Sequence, residues 1–205
     1  MKRLELSLLI GLIFSLLLGS STVYANQCDN IRSNVLRLHI IANSDSEQDQ
    51  QLKLAVRDAV LEQTSELFTT AYSRNDAEKA VADNLDKLNS IAQCIIKSRG
   101  FDYKTEVMLV NMFFETRQYG NIIMPAGRYD AVRIIIGEGK GKNWWCVMFP
   151  PLCVPAAAEK KEQQAPDLKP VDAQVKYTPK LAVVELYEKI KNQAQKQNDD
   201  IKTPD

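Results

Sequence analysis

Histidine is almost missing from this 205-residue chain: His39 is the only one. The four cysteines form no Cys-x-x-Cys, and no carboxylates gather at ligand spacing. A zinc centre or thiol redox motif is therefore not expected, and neither is any other metal or cofactor. Net charge is missing too, with 26 basic and 26 acidic residues. That balance gives no electrostatic case for nucleic acid or for an anionic membrane surface. Long apolar runs are also lacking. The stretch Leu8 to Leu18 falls short of the roughly 20 residues a spanning helix needs.

What is present at the N-terminus is a three-part export signal. Met1-Lys2-Arg3 is basic, Leu8 to Leu18 is apolar apart from Gly11 and Ser15, and Val23-Tyr24-Ala25 offers modest residues where a signal peptidase reads. Residues 1–25 are read as a signal peptide cleaved after Ala25. The alternative is an uncleaved anchor, which tethers the same domain outside the membrane. Without residues 1–25 the chain keeps 24 basic and 25 acidic residues, enough length for one domain with a core. Residues 26–34 form a lead into it.

The fold class expected is α+β: two helices packed on a small, mostly antiparallel sheet, then a linker and a C-terminal helix. Val35 to Ala42 is β-branched and apolar, a buried strand. Ser44 with Glu47 reads as a capping box opening a helix from Asp45 to about Phe68, with Leu52, Val56, Ala59 and Val60 as its stripe. A second helix is expected from Asn75 or Asp76 to Gly100, buried through Val81, Leu85, Leu88, Ala92, Ile95 and Ile96. From Phe101 the period becomes two, giving a long strand to Phe114. Gln118 to Asn121 and Pro125-Ala-Gly127 are turns. Arg128 to Ile136 and Asn143 to Phe149 read as two strands of a hairpin joined by a glycine loop. The domain is placed at 35–155, a linker poor in apolar residues at 156–177, a helix opened by Thr178-Pro179 at 178–192, and a disordered tail at 193–205.

Gly137 through Cys153 is the densest segment. Its glycine loop fails as a phosphate cradle, because three residues rather than four separate Gly137 from Gly141 and Asn143 replaces the metal-holding hydroxyl. It reads instead as a flexible hairpin tip carrying Lys140 and Lys142. Trp144 and Trp145 are adjacent on a strand, so one can enter the core while the other faces out, as a protein-binding hot spot does. The candidate partner-binding set is Gly139, Lys140, Lys142, Asn143, Trp144 and Trp145. The four cysteines allow three pairings. A Cys146–Cys153 bridge across Pro150-Pro151 is favoured over two buried thiols, and closing that loop is worth about 2.5 kcal/mol. Cys28 and Cys94 either pair or stay free. His39 inside its strand reads as a hydrogen-bonded structural residue. Pairing it with Cys146 or Cys153 would give a thiol hydrolase dyad, and an exported thiol-dependent or wall-acting hydrolase is the competing function.

Leu36-Arg-Leu-His-Ile-Ile-Ala-Asn-Ser-Asp-Ser46, Leu52-Lys-Leu-Ala-Val-Arg-Asp-Ala59, Tyr119-Gly120, Pro125-Ala-Gly127 and Gly137 through Cys153 together closely resemble the stage II sporulation protein R family. The resemblance covers about residues 35–153. One departure is Phe114-Glu115-Thr116, where the family has proline after the phenylalanine. The resemblance implies a secreted signalling protein of endospore-forming bacteria, made in the forespore and acting in the space between forespore and mother cell. Its implied partner is a membrane-embedded aspartic peptidase that processes the mother-cell sigma factor precursor. It implies a ligand with no catalytic residues, touching a membrane only through that receptor or an uncleaved signal segment.

Overall fold

The computed structural model describes residues 2–119, 122–152 and 185–195. They fall into two compact units. One comprises the chain up to Ser33, Phe113–Gly127 and the C-terminal helix; the other comprises Asn34–Met112 and the chain from Arg128. The second unit carries the site.

Its centre is β1 (Leu36–Ile41), buried at every position. Around it lies a four-stranded sheet in the order β2-β5-β1-β6, with β2 at Thr105–Phe114, β5 at Gly127–Ile136 and β6 at Asn143–Phe149. The β1–β5 pair is parallel and the β1–β6 pair antiparallel. Gly137 N–H donates to the Lys104 carbonyl, while Arg128 reaches Asn111, so β2 and β5 run in opposite senses. The sheet is mixed, with its one parallel pair at the middle. The expected hairpin is thereby corrected. β5 and β6 are not neighbours, because β1 is inserted between them and the glycine segment must step over its end. The run Phe101–Tyr103 precedes β2 and is not part of it.

Three helices cover one face. In α2 (Glu47–Leu67) the N-cap is Ser46, whose hydroxyl accepts from Asp49 N–H. The Ser44–Glu47 box expected from sequence is thus displaced by two residues. Ser44 instead donates its hydroxyl to the Asp49 carboxylate. The expected second helix is two: α3 (Arg74–Ala82) and α4 (Leu85–Ser98). Asp83 and Asn84 break it, since such side chains compete with the helical ladder, and Asn84 Nδ2 donates to the Ala80 carbonyl. Ser73 and Asp76 form the capping box of α3, and Gly100 follows α4 at φ 81, the left-handed stop that glycine tolerates. Leu52, Val56, Val60, Val81, Leu88, Ala92 and Ile96 from the helices pack on Leu36, Leu38, Ile40, Val132, Ile134 and Ile136. The periodicities anticipated for these stripes hold.

In the other unit, α1 (Lys2–Ser33) runs unbroken past Ala25, and among the described residues no helix is long and apolar enough to cross a membrane. A small hairpin joins β3 (Arg117–Tyr119) to β4 (Ile122–Met124). Residues 185–195 are helical, and Arg32 holds Glu188 at 3.0 Å. The linker at 156–177, the expected helix start at Thr178-Pro179, Gly120, Asn121, Cys153 and residues 196–205 lie outside the described residues, while 193–195, expected in the disordered tail, continue the helix.

Candidate functional site: the glycine crossover and the two tryptophans

The segment Gly137–Lys142 crosses the end of β1 pressed against the turn that leads into α2. Six consecutive amide groups are donated within 3.2 Å. Gly137 gives to Lys104 O, Gly139 to Ile136 O, Lys140 to Asn43 O and Gly141 to Ala42 O. Glu138 gives to Asn43 Oδ1 and Lys142 to Asp45 Oδ1. Lys53 Nζ then donates to the Lys142 carbonyl at 2.9 Å. With every donor engaged, the loop offers no open nest of amides to an anion.

The glycines follow from this proximity. A Cβ on Gly141 would collide with the Ser44 carbonyl, its carbon only 2.6 Å away. Gly137 (φ 58) is backed by the Asn43 side chain and Gly139 (φ 62) by Ile135. The expectation of a flexible tip is corrected: this is a seated crossover, held because β1 lies between the strands it joins. Its side chains still face water. Lys140 is 76% exposed and pairs with Glu138 at 2.7 Å, so its ammonium is held above the ordinary lysine range by that carboxylate. Lys142 and Asn143 are exposed.

A buried scaffold supports the turn beneath. Asp49 accepts from Ser44 Oγ at 2.5 Å and Asn43 Nδ2 at 3.0 Å. Burial pushes its carboxyl up, but the hydrogen bonds from Ser44, Asn43, Tyr103 and Ser46 outweigh this and hold it below the usual carboxylate range. Lys53 is 4% exposed. Its ammonium is destabilised first by burial, an effect that Asp45 opposes and Lys142 and Arg57 reinforce, so its pKa falls.

The sheet separates the candidate set onto two faces. Trp144 points to the helices, packs on the core and lies under the Arg57 guanidinium, 4.5 Å from its ring centre. Trp145 points the other way and stacks on His39, with ring centres 3.9 Å apart and planes within 9°. His39 Nε2 and Asn143 Oδ1 lie 2.9 Å apart. Burial lowers the His39 pKa; the Asn143 contact opposes that and the Arg133 charge reinforces it. Cys146 belongs to the core on the helix side, so the sheet puts it and His39 on opposite faces, and a dyad between them is not formed. Cys28 and Cys94 are both reduced thiols, the former buried and the latter exposed.

Sequence reasoning missed Asn43, Asp45, Lys53 and Arg133. Asn43 and Asp45 looked like an ordinary strand-to-helix turn, and nothing local ties them to a loop 95 to 97 residues away.

The crossover, its supporting turn and both tryptophans fall inside residues 32–159, the span matched by the family model for stage II sporulation protein R. The chain belongs to that family. A stage II sporulation protein R from Bacillus subtilis (strain 168) is 41% identical over 128 residues, covering 62% of this chain and 57% of the relative. The match thus spans little more than half of that relative's length. No solved structure matches. Family membership makes this a stage II sporulation protein, and the shared span holds the six strands of the described residues with α2, α3 and α4. Residues 185–195 lie beyond it.

Proposed function

We propose that this chain is a secreted ligand of endospore formation. It is exported from the forespore and activates a membrane-embedded aspartic peptidase that processes the mother-cell sigma factor precursor. Family membership over residues 32–159 carries the reading, and the export-type N-terminus supports it. A ligand acts by binding the active state of its receptor better than the resting one, which favours a rigid epitope over a floppy one. The seated crossover is suited to that, because Lys140, Lys142 and Asn143 project from a backbone already fixed before any encounter.

A Cys146–Cys153 bridge belongs to the same proposal. Among the described residues Cys28 and Cys94 are reduced thiols and Cys146 is not one of them, while Cys153 lies outside the described residues.

The deciding experiment complements a deletion strain with a Lys140→Glu/Lys142→Glu double variant. Full secretion with precursor processing cut about tenfold is expected from reversal of interface charges. Normal processing in the deletion strain itself removes the signalling role. Normal processing by the secreted double variant removes the crossover as epitope.

A further inference from the structure

The sheet face away from the helices is sealed at one end and open at the other. Arg37, Tyr129, Ala131 and Val147 are each 1% exposed or less. Toward the crossover, Arg133, Ile135 and Trp145 are half-buried. Met108 and Val110 of β2, half-buried too, alternate with core-facing Val107 and Leu109 and so share this face. Arg133 pairs in register with His39, and His39 with Trp145. A tryptophan, a histidine and an arginine therefore lie in one row across three strands.

Arg133 is the anomaly in that row. Among the described residues it makes no ion pair, and its buried Nε has no hydrogen-bond partner. A buried donor with no hydrogen-bond partner is costly, and among the described residues no acceptor lies within hydrogen-bond reach of that Nε. Met108, Val110, Ile135 and Trp145 give this end an apolar floor, which strengthens any charge pairing made there, and Glu106, exposed on the same face of β2, makes no ion pair with Arg133. Arginine and tryptophan are also the residue types that dominate binding energy at protein interfaces.

We propose that this open end docks an extended apolar segment of a partner protein bearing one carboxylate. Arg133 takes the carboxylate through its forked donors, and Trp145 and Ile135 cover the adjoining apolar side chain. This rests on the reading above, since the partner is the outward part of the peptidase, and it adds the chemistry by which that part is recognised. Arginine is required over lysine because a planar fork matches a carboxylate where a point charge does not.

The test uses the full chain and the purified, detergent-solubilised peptidase as probe. Arg133→Met and Arg133→Glu should each weaken binding about tenfold or more, as loss of one partner of a desolvated charge pair does. Arg133→Lys should fall between, and wild-type affinity should decline with salt. Lys87→Glu, on the exposed side of α4, should bind as wild type. Arg133→Met keeps the stem and removes only the fork, so it serves if the charge reversal fails to fold, and matched unfolding midpoints qualify each variant. Wild-type binding by folded Arg133→Met, or salt-independent affinity, overturns this inference and leaves the signalling role standing. Self-association of the chain through Trp145, with the peptidase unable to compete, overturns it as well. A wild-type chain that does not bind the peptidase at all overturns both.

Discussion

Replacing Gly141 with alanine adds one methyl group where the crossover touches the turn behind β1. The new Cβ would meet backbone, the Ser44 carbonyl carbon at 2.6 Å, with Ala42 Cβ at 3.0 Å. Neither can rotate aside as a side chain can. The loop must lift, and the hydrogen bonds from Lys140 to Asn43 and from Gly141 to Ala42 lengthen with it. Overpacking of this kind costs about 1–3 kcal/mol, and two weakened hydrogen bonds add about 1 kcal/mol each. The total of about 3–5 kcal/mol should lower the thermal midpoint by about 10 °C for a chain of this size. Urea unfolding of the purified protein, followed by far-UV circular dichroism, reads it directly. Gly100→Ala is the control. Its φ of 81 is strained for alanine but nothing lies within 4 Å, so about 1 kcal/mol is expected. If Gly141→Ala unfolds at the wild-type urea concentration, the crossover is not seated on the turn and the account of the glycines is wrong.

Asp49 gives a pH signature. Its pKa is lowered below the ordinary 3.8, so the unfolded chain binds the proton more readily and stability rises with pH there. The contribution is complete above the ordinary value and is lost as pH falls through the folded one; Asp49→Asn should flatten that acid limb in urea midpoints measured across pH. For the thiols, an unreduced sample should show one fast-reacting group, Cys94, with buried Cys28 appearing on denaturation and two more only after reduction. Four groups in denaturant without reductant would eliminate the Cys146–Cys153 bridge. Trp144→Ala should destabilise by about 3 kcal/mol through lost core packing. Trp145→Ala should cost less, about 1 kcal/mol for its stack on His39; equal losses in urea unfolding would contradict the two-face assignment.

Residue patterns revealed the elements better than their neighbours. The stripes of α2 and α4 and the alternation of β5 were legible because burial imposes a period on one element at a time. The place of β1 between β5 and β6 was not legible, since a glycine loop between two β-rich runs looks the same whether or not a third strand intervenes. The break at Asp83-Asn84 was hidden for a different reason: the apolar spacing continues across it, and only backbone hydrogen bonding interrupts. At the candidate site the division of Trp144 from Trp145 could be read from strand alternation. The role of Lys53 could not, because its partner is a carbonyl 89 positions later. Arg133 gave no signal at all, as an arginine in a strand is ordinary until its missing partner is seen.

The strand that anchors the sheet is synthesised first and completed last: Leu36 finds its antiparallel mate in Phe149. A nascent chain holding only the helices and β1 has no sheet to fold onto, and a truncation anywhere before β6 leaves the middle strand half-paired. Such an order of assembly defers the native state until nearly the whole domain is available. If the chain is exported as proposed, late closure keeps it threadable through a narrow channel until it reaches the far side.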